Sequence, residues 1–205
     1  MSLSDPVPTL PVSGSPATFA LDAPTTMARW RPLVQWFLVI PHLIVLNVLQ
    51  MVASVVAFVS WFVIVITGRL PEGLATVQAM ILRYGMRTSS YGGFLHEDYP
   101  PFDFTTSAAD PGGSPVTVDF EPELEGRNRL TVAFRFILAI PLLLVWMLLG
   151  LAAWCVWFVG FFAVIITGSW PAAMRRFIER VLNYGLGVNA YVLLLTDRYP
   201  PLYLD

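Results

Sequence analysis

The sequence predicts an all-α integral membrane protein made of two parallel tandem repeats, each a membrane helical hairpin followed by a cytoplasmic amphipathic interfacial helix. Three observations lead to this prediction. Hydrophobic residues make up 56% of the 205 residues and charged residues only 13%, against roughly 25% charged residues in a soluble domain. The apolar residues concentrate in two runs, 32–66 and 130–166, whose single formal charge is Arg135. A shift of 100 positions aligns one run with the other without a gap.

The repeat covers most of the chain, from Arg29 to Pro101 and again from Arg129 to Pro201. In this ungapped alignment 24 of 73 positions are identical, which indicates duplication of one unit. We therefore divide the chain into a flexible N-terminal segment (1–26), repeat 1 (27–102), a linker (103–115) and repeat 2 (116–205).

A short β-strand is predicted ahead of each apolar run. In repeat 2, apolar and polar residues alternate from Val116 to Phe120, which is the period of a half-buried strand. The signal in repeat 1 is weaker and lies around residues 18–21. Residues 103–115 are rich in proline, serine and aspartate, so we expect a linker that carries no apolar anchor.

Each apolar run is predicted to be a hairpin, at about 30–68 and 129–168. A single helix of that length would be roughly 50 Å long, against a hydrocarbon core of about 30 Å. Arginines flank both runs on both sides, and the positive-inside rule then places all flanks in the cytoplasm. The tips are expected near 47–51 and 147–151, with a re-entrant hairpin as the alternative to full spanning.

This topology predicts a multi-pass protein of the plasma (inner) membrane with both termini cytoplasmic. An even number of membrane arms in each repeat would relate the repeats by a pseudo-two-fold axis along the membrane normal.

A glycine and a proline follow each predicted hairpin. Gly68 and Gly168 are predicted to end their helices in a left-handed cap, and Pro71 and Pro171 to occupy the first turn of the next helix. In repeat 2, apolar residues at helical spacing then lie opposite four charged residues, an amphipathic pattern suited to the headgroup region. The interfacial helices are expected at about 71–90 and 171–195.

Several further residues are predicted to be structural. Pro41 and Pro141 lie near the start of an arm, where proline kinks a helix, and we interpret them as structural rather than as gating hinges. Small residues seven positions apart predict a close-packing helix face between the copies or between protomers. These residues are Ala53 with Ser60 and Ala153 with Gly160.

Candidate lipid-headgroup contacts are the arginines at the ends of the apolar runs. They are Arg29, Arg31, Arg135, Arg175 and Arg176.

Three polar residues inside the first run are weak functional candidates. His42 is ionisable at membrane depth, although repeat 2 has Leu142 in its place, which favours a structural role. Asn47 and Gln50 share one helix face with Ser54 if the helix is continuous there. Outside the run, His96, Glu97 and Asp98 form a compact cluster, but no second cluster at ligand spacing accompanies it, so we expect no metal site.

The composition argues against several classes of function. All 12 basic residues are arginine and the net charge is −2, so no polycationic surface is available for nucleic acid. Nucleotide-binding glycine loops, G-x-S-x-G and HExxH motifs and paired buried carboxylates are absent from the sequence. We therefore expect a non-enzymatic protein that has no cofactor and whose partners are membrane lipids and other membrane proteins or copies of itself.

The chain resembles, from about residue 18 onward, a bacterial membrane family that is frequent in actinobacteria and is catalogued only as a domain of unknown function, often in two copies. The motifs that carry the resemblance are Arg29-Trp30-Arg31, Ile40-Pro41-His42, Ile66-Thr67-Gly68 with Pro71, and Asp98-Tyr99-Pro100-Pro101-Phe102. Repeat 2 keeps Ile140-Pro141, Thr167-Gly168, Pro171 and Asp197-Arg198-Tyr199-Pro200-Pro201, and departs at Leu142. The resemblance implies a membrane protein and brings no activity with it.

The sequence favours a non-enzymatic membrane subunit that scaffolds or regulates a larger membrane or envelope complex. The alternative is a small oligomeric transporter, channel or lipid-handling protein, because parallel repeats can frame a path along their pseudo-axis.

Overall fold

The computed structural model describes residues 17–202. Within this range the chain is mostly helical, with six helices and two strands. In chain order the elements are β1 (Ala17–Leu21), α1 (Arg31–Leu38), α2 (Ile40–Thr67), α3 (Glu72–Gly92), β2 (Val116–Phe120), α4 (Arg129–Ala133), α5 (Arg135–Thr167) and α6 (Ala172–Val192).

Most of each apolar run forms one long helix that follows a short one, so the predicted hairpins are wrong. α2 has 28 residues and α5 has 33, which correspond to about 42 and 50 Å. The predicted tips at 47–51 and 147–151 lie inside these helices. Isolated polar residues and a lone glycine there weaken a helix without ending it, and no turn-forming pair interrupts the run.

The amphipathic helix of each repeat packs lengthwise on the long helix that precedes it. In repeat 1, Gly92 lies against Val39 at one end of the pair and Gly85 lies against Leu46. Further along, the Gln78 side-chain amide donates to the Ala53 carbonyl at 2.8 Å. α2 and α3 are therefore antiparallel neighbours that pack along their length.

Both predicted strands are present, and they pair with each other. β1 and β2 are antiparallel, with Ala17 opposite Phe120 and Leu21 opposite Val116. The sheet packs on α3 and α6, and these helices in turn pack on α2 and α5. The result is three layers: sheet, amphipathic helices and apolar helices. Residues 17–26 thus belong to the fold rather than to a flexible segment, while residues 1–16 lie outside the described residues.

The two repeats interlock through the segments that precede their long helices. The Met27 amide donates to the Gly168 carbonyl at 2.9 Å, and the equivalent Arg127 amide donates to Gly68 at 3.2 Å. Each repeat therefore meets the far end of the other repeat's long helix, as a pseudo-two-fold relation requires. We call the two places the Gly68 end and the Gly168 end.

The long helices run antiparallel to each other. Near the Gly168 end, the Trp36 ring stacks on Phe161 with centroids 5.1 Å apart. Near the Gly68 end, the Trp61 indole donates to the Val132 carbonyl at 2.9 Å. The start of each apolar run thus meets the end of the other, so the pseudo-two-fold axis is perpendicular to both helices.

The predicted glycine caps are confirmed. Gly68 and Gly168 have φ of 75° and 76°, and their amides donate to the carbonyls of Ile64 and Val164. The predicted first-turn prolines lie one position earlier, at the N-cap of α3 and α6. Their ψ angles of 133° and 123° are extended, which keeps Pro71 and Pro171 outside the helix.

The predicted packing residues lie within their own repeat rather than between copies. Ala53 and Ser60 are buried on α2, and Gly160 is buried under the Trp170 ring of its own repeat. Ala153 packs beside α6 in the same hydrophobic cluster. Small side chains on this face allow the following helix to lie close.

The two prolines of the apolar runs occupy different positions in their helices. Pro41 lies in the first turn of α2, where proline needs no hydrogen-bonded amide. Pro141 lies inside α5, and the helix continues through it.

Gly160→Ala should destabilise the fold because the added Cβ would overlap the Trp170 ring. Trp170 cannot withdraw freely, since its indole donates to the Phe94 carbonyl at 2.6 Å, and overpacking of this kind costs about 1–3 kcal/mol. The matched control is Gly150→Ala, which meets open space on the same helix. We expect a lower thermal midpoint in detergent for Gly160→Ala and an unchanged or higher one for Gly150→Ala. Equal midpoints would contradict the packing assigned here.

Candidate functional site

The main surface feature is an apolar face formed by α1, α2, α4 and α5. In the most apolar windows of α2 and α5, only 17% and 11% of the residues are buried. Both helices are long and apolar enough to cross a membrane. Large hydrophobic side chains point outward along their whole length, including Phe37, Ile44, Val55, Phe62, Phe136, Leu148, Trp154 and Ile166. Soluble monomers rarely expose apolar patches of this extent, which mark membrane or protein contacts.

A row of polar residues interrupts this face on α2. Asn47, Gln50 and Ser54 are exposed, and the Ser54 hydroxyl donates to the Gln50 carbonyl at 2.9 Å. Spacings of seven and eleven residues put Ser54 and Gln50 on the same helix side as Trp61, which faces repeat 2. The equivalent positions on α5 are Met147, Gly150 and Trp154.

His42 is buried in an aromatic cluster rather than exposed. Its Nδ1 lies 2.7 Å from the Tyr84 hydroxyl, and its ring stacks on Phe102 with centroids 4.2 Å apart. Tyr99 packs against the same ring. The histidine thus fixes the closing Tyr-Pro-Pro-Phe segment against α2 and α3, which is a structural role.

Two of the candidate headgroup arginines are buried in the fold. Arg135 is 2% exposed and Arg175 is 5% exposed. Arg135 donates to the carbonyls of Tyr191 and Thr196, and Arg175 donates to the carbonyls of Ala23 and Pro24. They hold the chain together because a buried guanidinium needs several acceptors, and they are not available to lipid. Arg29 and Arg176 are exposed.

The remaining candidate, Arg31, forms an ion pair with Glu97 at 3.6 Å. Glu97 also accepts the Ala28 amide at 2.5 Å. Its equivalent in repeat 2 is Asp197, which accepts the Asn128 amide at 3.0 Å. One carboxylate in each repeat therefore ties the closing turn to the start of the apolar run. Glu97 and Asp197 are equivalent in the alignment at an offset of 100. The available signal was that both are acidic, although the residues are not identical.

Among the described residues, Asp197 pairs with two arginines, whereas Glu97 pairs with one. Asp197 pairs with Arg127 at 2.7 Å and also with Arg135. Burial by itself would raise the pKa of Asp197, but the hydrogen bonds and charges of the two arginines and the Asn128 amide hold it below the usual value.

A second buried ionic cluster was not found from the sequence. Arg83 and Arg87 on α3 pair with Asp110 at 3.4 and 2.6 Å, and Arg87 also pairs with Asp103. Arg83 donates to the Val118 carbonyl at 3.0 Å. The segment 103–115 is therefore anchored by charge to α3 and β2, although it lacks an apolar anchor. The available signal was the spacing of four residues between Arg83 and Arg87, which puts both on one helix face.

His96 lies beside an open cavity of about 470 Å³ at the Gly168 end. The cavity is lined by residues of the segments 23–28 and 96–98. The ring is 2% exposed, and neither nitrogen has a hydrogen-bond partner among the described residues. Burial lowers the pKa of His96 to about 4, so the ring is neutral at neutral pH. No three described His, Cys, Asp or Glu residues are arranged to hold a metal ion.

Together, these features define a two-repeat helical protein with two helices that could each cross a membrane. The domain of unknown function DUF4389 matches residues 29–103 and again residues 129–203. The chain belongs to this family and carries two tandem copies of its domain. Comparison with curated proteins and with solved structures gave no match.

Asp197→Asn should destabilise the protein more than Glu97→Gln. Loss of the Asp197 charge leaves two buried arginines unpaired, and breaking a buried pair costs about 3–5 kcal/mol, whereas Arg31 is partly exposed. Because the pKa of Asp197 is lowered, its contribution is present at neutral pH and is lost as the pH falls below about 4. Thermal midpoints of both variants in detergent test this ranking. A larger loss for Glu97→Gln would contradict it.

Proposed function

We propose that this protein is a non-enzymatic membrane subunit that binds and positions other proteins of a larger membrane or envelope complex. The observation that carries the proposal is the apolar face of α1, α2, α4 and α5. A helix that is apolar over most of its circumference and lies on the outside of a fold needs lipid or protein as its neighbour. We place the protein in the plasma membrane on the same ground.

The use of the interior polar groups supports a structural subunit rather than a catalyst. The arginines at 83, 87, 127, 135 and 175 bond to backbone carbonyls or carboxylates of their own chain. Gln35 donates to the His96 carbonyl at 2.8 Å, and His42 is bonded to Tyr84. These groups fix the positions of the helices and strands, so their hydrogen bonds stabilise the fold.

Charges placed on the apolar face should release the protein from the membrane. Val48 and Val55 are 57% and 62% exposed on one side of α2, and an acidic residue at the centre of a membrane helix costs about 2.5–3.5 kcal/mol. Val48→Asp combined with Val55→Asp should shift the protein from the membrane pellet to the supernatant or to degradation. Thr18→Asp with Thr117→Asp, on the exposed side of the sheet, is the matched control and should stay in the pellet. Equal partitioning of the two variants would argue against lipid contact by α2.

The subunit proposal is tested by extracting the chromosomally tagged protein into native nanodiscs and identifying what co-purifies by mass spectrometry. We expect a membrane-protein partner at fixed stoichiometry, absent from a control tag on an unrelated membrane protein of similar abundance. A purified protein that alone carried a specific flux or turnover would overturn the proposal.

Lipid handling is a second candidate, favoured by the polar row on α2. Asn47, Gln50 and Ser54 are exposed on one side of α2, and Gly150, the equivalent of Gln50, borders open space on α5. Exposed polar groups on an apolar helix can donate hydrogen bonds to a headgroup, while the neighbouring apolar side chains contact acyl chains. Replacing the row by Asn47→Leu, Gln50→Leu and Ser54→Ala should remove one retained lipid class from the purified protein if this candidate is right. Under the subunit proposal, the triple variant keeps the same lipids and the same partner.

A further inference from the structure

We infer that the long apolar helices lie along the cytoplasmic leaflet, parallel to the membrane plane, with the two-stranded sheet facing the cytoplasm. This inference rests on the proposed membrane location and states how the chain meets the bilayer. The occupant of the apolar face is thus the acyl-chain region of one leaflet.

The first argument is the position of the sheet. Along α2 the neighbours on α3 run in reverse order, with Ala53 beside Gln78 and Leu46 beside Gly85, so Arg83 lies level with about residue 48, in the middle of the first apolar run (32–66). On its other side Arg83 donates to Val118 in β2. The sheet therefore lies level with the middle of the apolar run and on the side of α3 that faces away from α2.

This position is incompatible with a spanning α2. If α2 crossed the bilayer, the sheet would lie at the middle of the hydrocarbon. A two-stranded sheet has two open edges, and unpaired backbone groups do not occur at lipid-exposed positions. The exposed Thr18 and Thr117 and the Arg83–Asp110 pair would lie at the same depth. Turning the helices into the membrane plane places the whole sheet layer in water.

The second argument is the distribution of arginine. The Gly68 end has the exposed residues Arg69, Arg129 and Arg198, and the Gly168 end has Arg29 and Arg176. A spanning α2 would put these two groups on opposite sides of the membrane, whereas the positive-inside rule requires the basic residues to be on one side. In the in-plane orientation both ends face the cytoplasm.

The third argument is size. α5 is about 50 Å long, and fitting it into a core of about 30 Å would need a tilt near 50°, beyond the usual range of about 0–40°. A helix is about 10–12 Å in diameter, and one leaflet supplies roughly 15 Å of hydrocarbon, so the apolar layer fits within a single leaflet. The charged ends and the amphipathic helices α3 and α6 then lie at headgroup level.

Single-cysteine labelling tests the orientation in the full-length protein. The native Cys155 is exposed on α5, and Cys155→Ser provides a cysteine-free background. The repeat supplies matched positions: Glu72→Cys at the Gly68 end, Ala172→Cys at the Gly168 end and Thr117→Cys on the sheet, all at exposed sites. Val55→Cys and native Cys155 are the equivalent pair on the apolar face.

We expect a membrane-impermeant maleimide to label Glu72→Cys, Ala172→Cys and Thr117→Cys in inside-out vesicles and none of them in right-side-out vesicles. Bimane attached to Val55→Cys or to Cys155 should be quenched by lipids brominated on their acyl chains.

Labelling of Glu72→Cys and Ala172→Cys from opposite sides would overturn the in-plane orientation and leave the membrane proposal standing. Unquenched bimane at both apolar positions would mean that protein rather than lipid covers the face, which also overturns the inference. Recovery of all variants in the soluble fraction would instead refute the proposed function.

Discussion

The constraint on which the rest of the structure depends is the large apolar surface that α2 and α5 expose, because such a surface is unfavourable in water. Each is apolar over most of its surface, yet each gives only a narrow stripe of small or medium side chains to its own amphipathic helix. At about 25 cal/mol per Å² of apolar surface, the exposed remainder would be costly in water and costs nothing in lipid. The sheet, the amphipathic helices and the ionic clusters all lie on the opposite side of these two helices, which gives the molecule one apolar and one polar face.

Reciprocal contacts at the ends of the long helices hold the two repeats together. Each repeat's lead-in segment donates a backbone hydrogen bond to the terminal glycine of the other repeat's long helix. Neither repeat is therefore complete by itself, because its long helix ends against the other copy. The family domain matches each copy separately, so a protein with one copy would need a second chain to supply the same contacts.

The copies have diverged in ways that preserve contacts. Gln35 and Arg135 occupy equivalent positions, and both donate to the carbonyl of the closing turn of their own repeat, at His96 and Thr196 respectively. The arginine in repeat 2 brings a charge, which Asp197 balances. Likewise, Gly160 replaces Ser60 where Trp170 replaces Leu70, so that a smaller residue makes room for a larger one. Leu142 occupies the position of His42 and packs in a buried cluster with Tyr184 and Tyr191, so this position packs the interior of both repeats and only repeat 1 uses a histidine.

Much of the local structure could be predicted from the sequence, because glycine caps, strand alternation and an ungapped repeat are local signals. The hairpin prediction was wrong because an apolar run of this length is compatible with two short arms or with one long helix. The difference lies in tertiary contacts, since α3 packs along α2 and supports one continuous helix. The arginines that the sequence assigned to headgroups, Arg135 and Arg175, are buried because their acceptors are backbone carbonyls far along the chain. The arginine pattern that suggested same-side flanks is nevertheless satisfied by helices that lie in the membrane plane.

The most direct test of this account is a depth profile along α2. Spin labels at Val48, Val55 and Phe62 point to the same side, because these residues are seven positions apart and exposed. Collision with oxygen and with a water-soluble nickel complex in bilayers reports the depth of each label. Our account predicts one nearly constant depth for the three positions, within a single leaflet. A depth that passes from one headgroup region through the bilayer centre toward the other would contradict it.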